Sequence, residues 1–288
     1  MEIKINDKIL DASLDNESTI GEVLTNLEQW LTDSGHRISE IKIDSQTVSA
    51  SMIEELFKKD IKSVKRIDVQ TNVIAELTAA SIINLLEDIN EYSGLNFEDK
   101  TNYFSKWKES ATAQFISVEI PDLYAFCVNT FSSGEVSAHT LISITEEIQR
   151  EVHDPKKELE NIEQILNEIC ERLVDLPLDI QTGKDSRAAQ TIQVFSAVTE
   201  KIFRIIKQLD IQGYLFREKP AAENREKPIT QLLTEFGCVL KDLLEAYEKN
   251  DSVLVGDLTE YEASPKLKDL YNAVMESIHK QEKTQGNK

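Results

Sequence analysis

A glycine-lysine pair, Gly183 and Lys184, stands between two predicted helices and is a candidate for a phosphate-binding site. A phosphate-binding loop ends in such a pair and has the spacing G-x-x-x-x-G-K-[ST], because its backbone amides and its lysine surround the phosphates. Here Leu178 stands where that spacing requires the first glycine, and Asp185 stands where it requires Ser or Thr. The match fails at both positions, so we do not expect this loop to bind a nucleotide.

Charged and amide side chains nevertheless gather around this loop: Asp179, Gln181, Lys184, Asp185 and Arg187. Two interpretations are open. In the first, they form a small polar recognition site between helices, whose candidate partner contacts are Asp179, Lys184 and Arg187. In the second, the segment is a turn in which Gly183 is left-handed and Asp185, or the serine after it, caps the next helix.

The histidine, carboxylate and cysteine residues do not have the spacing that metal binding or thiol chemistry requires. A carboxylate-bridged metal bundle needs two Glu-x-x-His motifs and further inward carboxylates, and the sequence has one such motif, from Glu276 to His279. The cysteines, Cys127, Cys170 and Cys238, are far apart, and each lies in an apolar helical pattern, which predicts reduced thiols in the core. We therefore predict no metal site, no cofactor and no catalytic residue.

Aromatic side chains between residues 103 and 131 suggest protein binding instead. They could line a groove for a partner helix, or they could fill a helical core. Trp107 stands between Lys106 and Lys108, and we expect it to be partly exposed on a mixed face. Trp107 is our candidate contact in this region.

A second candidate contact region is basic and lies nearer the N-terminus. It consists of Lys58, Lys59, Lys62, Lys65 and Arg66. These cations could meet an acidic surface on a partner or on the protein's own helices. Alternatively, they complement the C-terminal end of a helix and stay solvated.

The overall charge limits the classes of partner. The 288 residues include 52 acidic and 32 basic side chains, a formal net charge of -20. Such a surface repels phosphate backbones and anionic lipid, so neither nucleic acid nor a membrane is an expected partner. The first residues lack the basic flank and apolar run of a signal peptide, and no apolar segment approaches the ~18 residues that span a bilayer. We expect a cytoplasmic protein.

The elements that position these residues begin with a module of strands, residues 1–71. Alternating residues predict strands at Glu2–Ile5, Ile9–Leu14 and Val64–Val69. Thr19 stands three residues before Glu22, which is the capping-box spacing at a helix start. Apolar residues then follow at intervals of three and four. The module therefore contains a hairpin, a helix and a later strand.

Between that helix and the last strand, Ile38–Ile43 predicts a further strand, Asp44 and Ser45 a turn, and Met52–Lys58 a short helix. The resulting order resembles the β-grasp fold of ubiquitin and many ubiquitin-like adaptor domains, in pattern and length, over about a quarter of the chain. The resemblance implies a docking domain or a structural cap for the helices. A conjugated modifier needs a free Gly-Gly terminus and an iron-sulfur version needs clustered cysteines, and residues 1–71 supply neither.

The rest of the chain predicts helices. Residues 73–152 form a first group of about four, in which Phe97–Ile116 is one helix. Residues 156–280 carry four apolar stripes, which predict an antiparallel four-helix bundle, and 281–288 form a polar tail. Gly256 lies in a helical stretch, where glycine is costly, so we expect another element to approach it closely. The predicted fold class is α+β, a small β-grasp-like domain followed by a mainly α-helical body.

Three functions are compatible with these features. We expect a cytoplasmic, non-enzymatic adaptor or assembly factor that acts through protein-protein interaction. A chaperone for secretion or flagellar export is an alternative, since an acidic helical bundle can cover amphipathic helices. A small-ligand sensor or an enzyme with an unrecognised site is a third.

Overall fold

The computed structural model describes residues 1–10, 17–49, 52–215, 228–249 and 251–286. It contains two compact units, Met1–Val152 and His153–Lys288. The first unit begins with five strands: β1 (Glu2–Ile5), β2 (Lys8–Ile9), β3 (His36–Ile43), β4 (Gln46–Thr47) and β5 (Arg66–Val73). Between them lie helix α1 (Ile20–Asp33), helix α2 (Ile53–Phe57) and a 3₁₀ turn (Ile61–Ser63). All later regular elements in the described ranges are helical, so the predicted α+β class is confirmed.

The five strands form one mixed sheet in the order β2-β1-β5-β3-β4. The central pair, β1 and β5, is parallel, and the other pairs are antiparallel. Two-residue turns with positive φ close both hairpins, at Asn6 and Asp7 and at Asp44 and Ser45, as the twist of a hairpin favours. The turn at Asp44 is therefore as predicted. The second strand was expected at Ile9–Leu14. In the structure β2 comprises Lys8–Ile9, and residues 11–16 of the expected strand lie outside the described residues.

Helix α1 starts at the predicted capping box. The Thr19 hydroxyl accepts a hydrogen bond from the Glu22 backbone, and the Glu22 carboxylate accepts one from the Thr19 backbone. That carboxylate also accepts from the Ser18 amide at 2.6 Å, and these backbone bonds, Ser18 first, hold the pKa of Glu22 below its usual range. The buried face of α1 packs on the sheet in a core of Ile3, Val23, Leu24, Leu27, Leu31, Ile67 and Val69.

Strand β5 continues into the helices without a linker. It passes the predicted boundary at residue 71 and ends at Val73, and α3 begins at Ile74. Arg37 on β3 also forms an ion pair with Glu119. The strands and the first helical group are thus parts of one unit.

The first helical group contains more elements than predicted. They are α3 (Ile74–Gly94), α4 (Phe97–Trp107), α5 (Ala111–Glu119), α6 (Pro121–Val128), a π-helical turn (Asn129–Ser133) and α7 (Ala138–His153). The single helix expected at Phe97–Ile116 is wrong. One helix ends at Trp107 and the next begins at Ala111. The Ser110 hydroxyl caps this second helix by accepting a hydrogen bond from the Ala113 backbone amide at 3.1 Å.

The second unit is a helical bundle with one core. Its elements are α8 (Pro155–Asn161), α9 (Glu163–Gln181), α10 (Asp185–Ile211), α11 (Ile229–Glu248), α12 (Ser252–Asp257), a π-helical turn (Leu258–Ala263) and α13 (Ser264–Gly286). The close approach expected at Gly256 is confirmed. A Cβ placed there would lie 2.9 Å from Cγ of Pro177 in α9, so only glycine lets these elements meet at this distance.

Candidate functional site

The predicted basic cluster contains four lysines with exposed side chains. They are Lys58, Lys59, Lys62 and Lys65, hereafter called the lysine patch. Among the residues that the structure describes, no carboxylate lies within ion-pair distance of any of these four ammonium groups. This is unusual in a chain with a net charge of -20.

Backbone hydrogen bonds fix the segment that carries the lysine patch. The Ile20 amide, at the start of α1, donates to the Lys59 carbonyl at 2.9 Å. The Glu2 amide, at the start of β1, donates to the Lys65 carbonyl at 2.9 Å. The four lysines therefore lie where β1, β5 and α1 all begin, on backbone that the sheet and the helix hold in place.

Two carboxylates on the segments that adjoin the lysine patch, those of Asp60 and Asp44, bind backbone amides of the patch. Asp60 Oδ1 accepts from the Lys62 amide at 2.7 Å, and Asp44 Oδ1 accepts from the Lys65 amide at 3.0 Å. Glu22 belongs to the cap of α1. Asp60 and Asp44 are therefore engaged by backbone amides, and no ion pair joins the patch to a carboxylate of the described residues, so the lysine side chains are left for solvent or for an external anion.

Arg66, predicted as a fifth member of the cluster, does not belong to it. Its Nε lies 2.7 Å from both carboxylate oxygens of Asp68, which is buried in β5. Hydrogen bonding to Asp68 raises the pKa of the Arg66 guanidinium. Arg66 is therefore neutralised within the sheet.

Phe57 adjoins the lysine patch, and the sequence analysis missed it. It ends α2, directly before Lys58, and 41% of its surface is exposed. A Cβ on Gly21 would lie 2.7 Å from the Phe57 ring and 2.7 Å from its carbonyl oxygen. The ring therefore packs closely on the first turn of α1, and the glycine at that position is the sequence signal for this contact.

The expected partial exposure of Trp107 is wrong. Only 4% of its surface is exposed, and its ring stacks on Tyr124 and meets Phe131 edge to face. Its indole N–H donates to Asp88 Oδ2 at 2.9 Å. A buried indole needs such an acceptor, so Trp107 turns inward while Lys106 remains exposed.

Asp88 lies beneath this aromatic cluster. Burial raises the pKa of its carboxyl, and the hydrogen bond from Trp107 opposes the shift. The Tyr103 hydroxyl donates to the Asp88 backbone carbonyl at 2.9 Å, and burial also raises the pKa of Tyr103. These contacts bind α3 to α4.

We expect ionisation of the Asp88 carboxyl to lower the free energy of unfolding as pH rises. An unfolded carboxyl ionises near pH 4. Because the folded pKa of Asp88 is higher, the folded state binds more protons above that pH, and its stability falls until pH passes the folded pKa. Asp88→Asn keeps an acceptor for Trp107 and removes the ionisation. The melting temperature of the variant should therefore gain on wild type between pH 4 and pH 7.

Thermal unfolding followed by circular dichroism at both pH values measures this gain. Glu146→Gln, at an exposed carboxylate of the same unit, is the matched control, and its difference from wild type should not change with pH in this way. A difference for Asp88→Asn that is constant with pH would contradict the role of Asp88.

The structure brings Asp179, Lys184 and Arg187 together, as the sequence suggested. Asp179 is 2% exposed, and its oxygens lie 3.5 Å from Lys184 Nζ and 3.0 Å from Arg187 Nε. Gly183 is left-handed, with φ of 69°, but Asp185 begins α10 and does not cap it. Both cations pair with the buried carboxylate of Asp179 and so close the turn between α9 and α10.

The cysteines divide into two kinds. Cys127 and Cys170 are buried as expected, and burial raises the pKa of both thiols. Cys238 is exposed, so the prediction of a core thiol is wrong there. It lies on α11 away from the face that holds Phe236 and Val239. Within the described ranges, no group of His, Cys, Asp and Glu is arranged to hold a metal ion.

The second unit also has an open cavity of about 500 Å³ that no motif in the sequence indicated. It lies along α10, and Tyr247 on α11 closes one side. Its lining combines small residues with a single carboxylate: Ala189, Ile192, Gln193, Ser196, Ala197, Glu200 and Tyr247. The small side chains leave room for an apolar group between the two helices.

The chain is therefore an α+β protein with a small mixed sheet, a helical body and a basic surface on the strand-bearing module. Residues 1–72 match a family model described as TP0873 N-terminal domain, and residues 157–273 match one described as a domain of unknown function (DUF8042). An uncharacterized protein of Treponema pallidum (strain Nichols) is 20% identical over 275 residues, which are 96% of each chain. No solved structure matches the chain significantly. No helix in the described ranges is both long and apolar enough to cross a membrane.

Proposed function

We propose that this chain is a non-enzymatic adaptor or assembly factor that binds an acidic surface of a protein partner through its strand-bearing module. The lysine patch is the observation that carries the proposal. Its four cations have no carboxylate partner in the described structure, and complementary charge on a partner would both steer association and fix its register. The acidic remainder of the chain disfavours a long phosphate backbone in that place.

The proposal includes a β-grasp-like identity for the module. Support comes from the sheet order β2-β1-β5-β3-β4, from its parallel central pair, and from α1 packed across the sheet. Because β5 continues directly into α3, the module has no free tail of its own at that end. Docking is therefore a better use of the module than conjugation.

A cytoplasmic location is also part of the proposal. The three thiols are free, including the exposed Cys238. Free thiols, exposed ones in particular, persist best where the compartment is reducing. This supports the cytoplasm over an oxidising environment.

Charge reversal of the lysine patch tests the proposed function. We expect Lys58→Glu, Lys59→Glu, Lys62→Glu and Lys65→Glu together to weaken partner binding by at least about tenfold, because four attractive charges become repulsive. The full-length chain is used to capture partners, which are identified by mass spectrometry and titrated against both forms. The matched control reverses four exposed lysines elsewhere: Lys106, Lys108, Lys249 and Lys283.

Retention of the partner by the control and its loss from the patch variant would support docking through the module. Equal binding by both variants would rule out the lysine patch as the docking surface. Failure of the wild-type chain to retain any stoichiometric partner would rule out the adaptor function itself.

A second candidate function, an export chaperone, is favoured by the cavity along α10. Leu244 on α11, the helix that supplies Tyr247 to the cavity, is 58% exposed, so the apolar face of α11 is incompletely covered. A bundle of this kind could take the apolar face of a substrate helix. Co-expression with a helical protein encoded beside an export apparatus should then yield a stable complex, and Ala197→Arg, placed in the cavity, should disrupt it.

A further inference from the structure

A partly exposed aromatic ring, that of Phe57, directly precedes the lysine patch in the chain. The Phe57 ring packs against Gly21 of α1, which fixes its position, and part of the ring remains exposed to solvent. Lys58 and Lys59 follow it directly, and both side chains are exposed. A partly exposed aromatic ring and two exposed lysines without a carboxylate partner in the described residues thus follow one another in the chain at one end of the module.

The two parts of this surface select different features of a ligand. Lysines attract carboxylates as flexible point charges and are screened by salt. A partly exposed, rigid aromatic ring instead favours contact with another apolar group, and such rings are frequent anchors of protein interfaces. A protein segment that carries an apolar side chain between acidic residues can contact both: its carboxylates pair with the lysines, and its apolar side chain packs on the ring.

We propose that the lysine patch and Phe57 together bind a short acidic protein segment that contains an apolar side chain. The apolar side chain packs on the Phe57 ring, and the flanking carboxylates pair with the lysines. This inference rests on the proposed docking function and specifies the chemistry of the partner.

Single-stranded nucleic acid is the main competing ligand, since it also combines stacking with cationic contacts. The charge of the module argues against it. Residues 1–71 hold 14 acidic and 9 basic side chains, so the surface around the patch repels an extended phosphate chain while a short segment can stay within the patch. A peptide can also supply a wholly apolar side chain, such as that of leucine, to pack on the Phe57 ring.

Three fluorescein-labelled probes test the inference on the full-length chain by fluorescence anisotropy. The first is a twelve-residue Glu-Glu-Leu repeat, which carries both the carboxylates and the apolar side chain that the inference requires. The second is the matched Glu-Glu-Ser repeat, and the third is oligothymidine. We expect the leucine peptide to bind about tenfold more tightly than the serine peptide, because the gain comes from burying apolar surface on Phe57. Binding should weaken as salt is added.

Phe57→Ser should reduce binding of the leucine peptide to that of the serine peptide, whereas Phe57→Met, which keeps an apolar side chain over Gly21, should retain most of it. Trp30→Ser is the matched control. Trp30 is another exposed aromatic residue of the module, near the opposite end of α1, and its replacement should leave binding unchanged. If Phe57→Ser lowers the melting temperature, the comparison of the two peptides on the wild-type chain remains decisive.

Each other outcome has a definite meaning. Equal binding of the two peptides, or tighter binding of oligothymidine, would overturn the inference. If no probe binds but charge reversal still removes the captured partner, the inference is wrong and the docking function stands. If charge reversal also has no effect on the partner, both are wrong.

Discussion

Phe236→Ala should lower the free energy of unfolding of the second unit by about 3–5 kcal/mol, the range for removing a fully buried phenylalanine. Phe236 on α11 is fully buried, and it meets two rings of α10 edge to face. The ring centroids lie 6.5 Å from Phe195 and 6.0 Å from Phe203. Alanine would leave a cavity between the two helices and remove both aromatic contacts.

Hydrogen exchange of the full-length chain as a function of denaturant measures this effect, because it reports each unit separately. Leu244→Ala on the same helix is the control. Its side chain is 58% exposed, so its removal should change stability by no more than about 0.5 kcal/mol. Similar losses for the two variants would show that Phe236 does not connect α10 and α11.

Lys184→Ala with Arg187→Ala should destabilise the second unit by about 3 kcal/mol. The substitutions leave the carboxylate of Asp179, which is 2% exposed, without either of its cations. Breaking a buried ion pair from one side costs about 3–5 kcal/mol. We expect the lower end, because both cations reach solvent and their attraction to Asp179 is partly screened.

Adding Asp179→Asn to the double variant should restore much of the loss, because an amide carries no charge that needs a partner. Asp175→Ala is a control at an exposed carboxylate that also contacts Arg187, at 3.3 Å, and it should cost less than about 1 kcal/mol. Chemical denaturation of the wild-type chain and of these three variants measures the differences in stability. An unchanged stability in the double variant would mean that these cations do not hold the turn, and it would favour the interpretation of the cluster as a recognition site.

The candidate surface was predictable in part. The four lysines occur within eight residues, so the sequence was sufficient to identify them as a cluster. Their lack of partners was not predictable, because it depends on where the carboxylates of Asp44 and Asp60 bind. The pairing of Arg66 with Asp68, in contrast, is a local feature, because residues two apart in the strand predicted at Val64–Val69 lie on the same face. Phe57 could not be ranked as a contact until its packing on Gly21 was known.

The sequence by itself determined the features that neighbouring residues control. The capping box at Thr19, the turn at Asp44 and the left-handed Gly183 each depend on a few adjacent residues, and all three are present in the structure. Apolar spacing also predicted that the second unit is helical, since one face of each helix must leave water. The four predicted helices were too few, because the described part of this unit contains six α-helices and a π-helical turn.

Only the tertiary structure decided which of those residues meet. It turned Trp107 inward to Asp88, exposed Cys238, and placed Gly256 against Pro177. Each outcome depends on packing between segments far apart in the chain, and a local pattern gives a residue's face on its own helix but not what covers that face. For the same reason, only the tertiary structure shows that Lys184 and Arg187 pair with the buried Asp179, whereas the lysine patch has no carboxylate partner among the described residues.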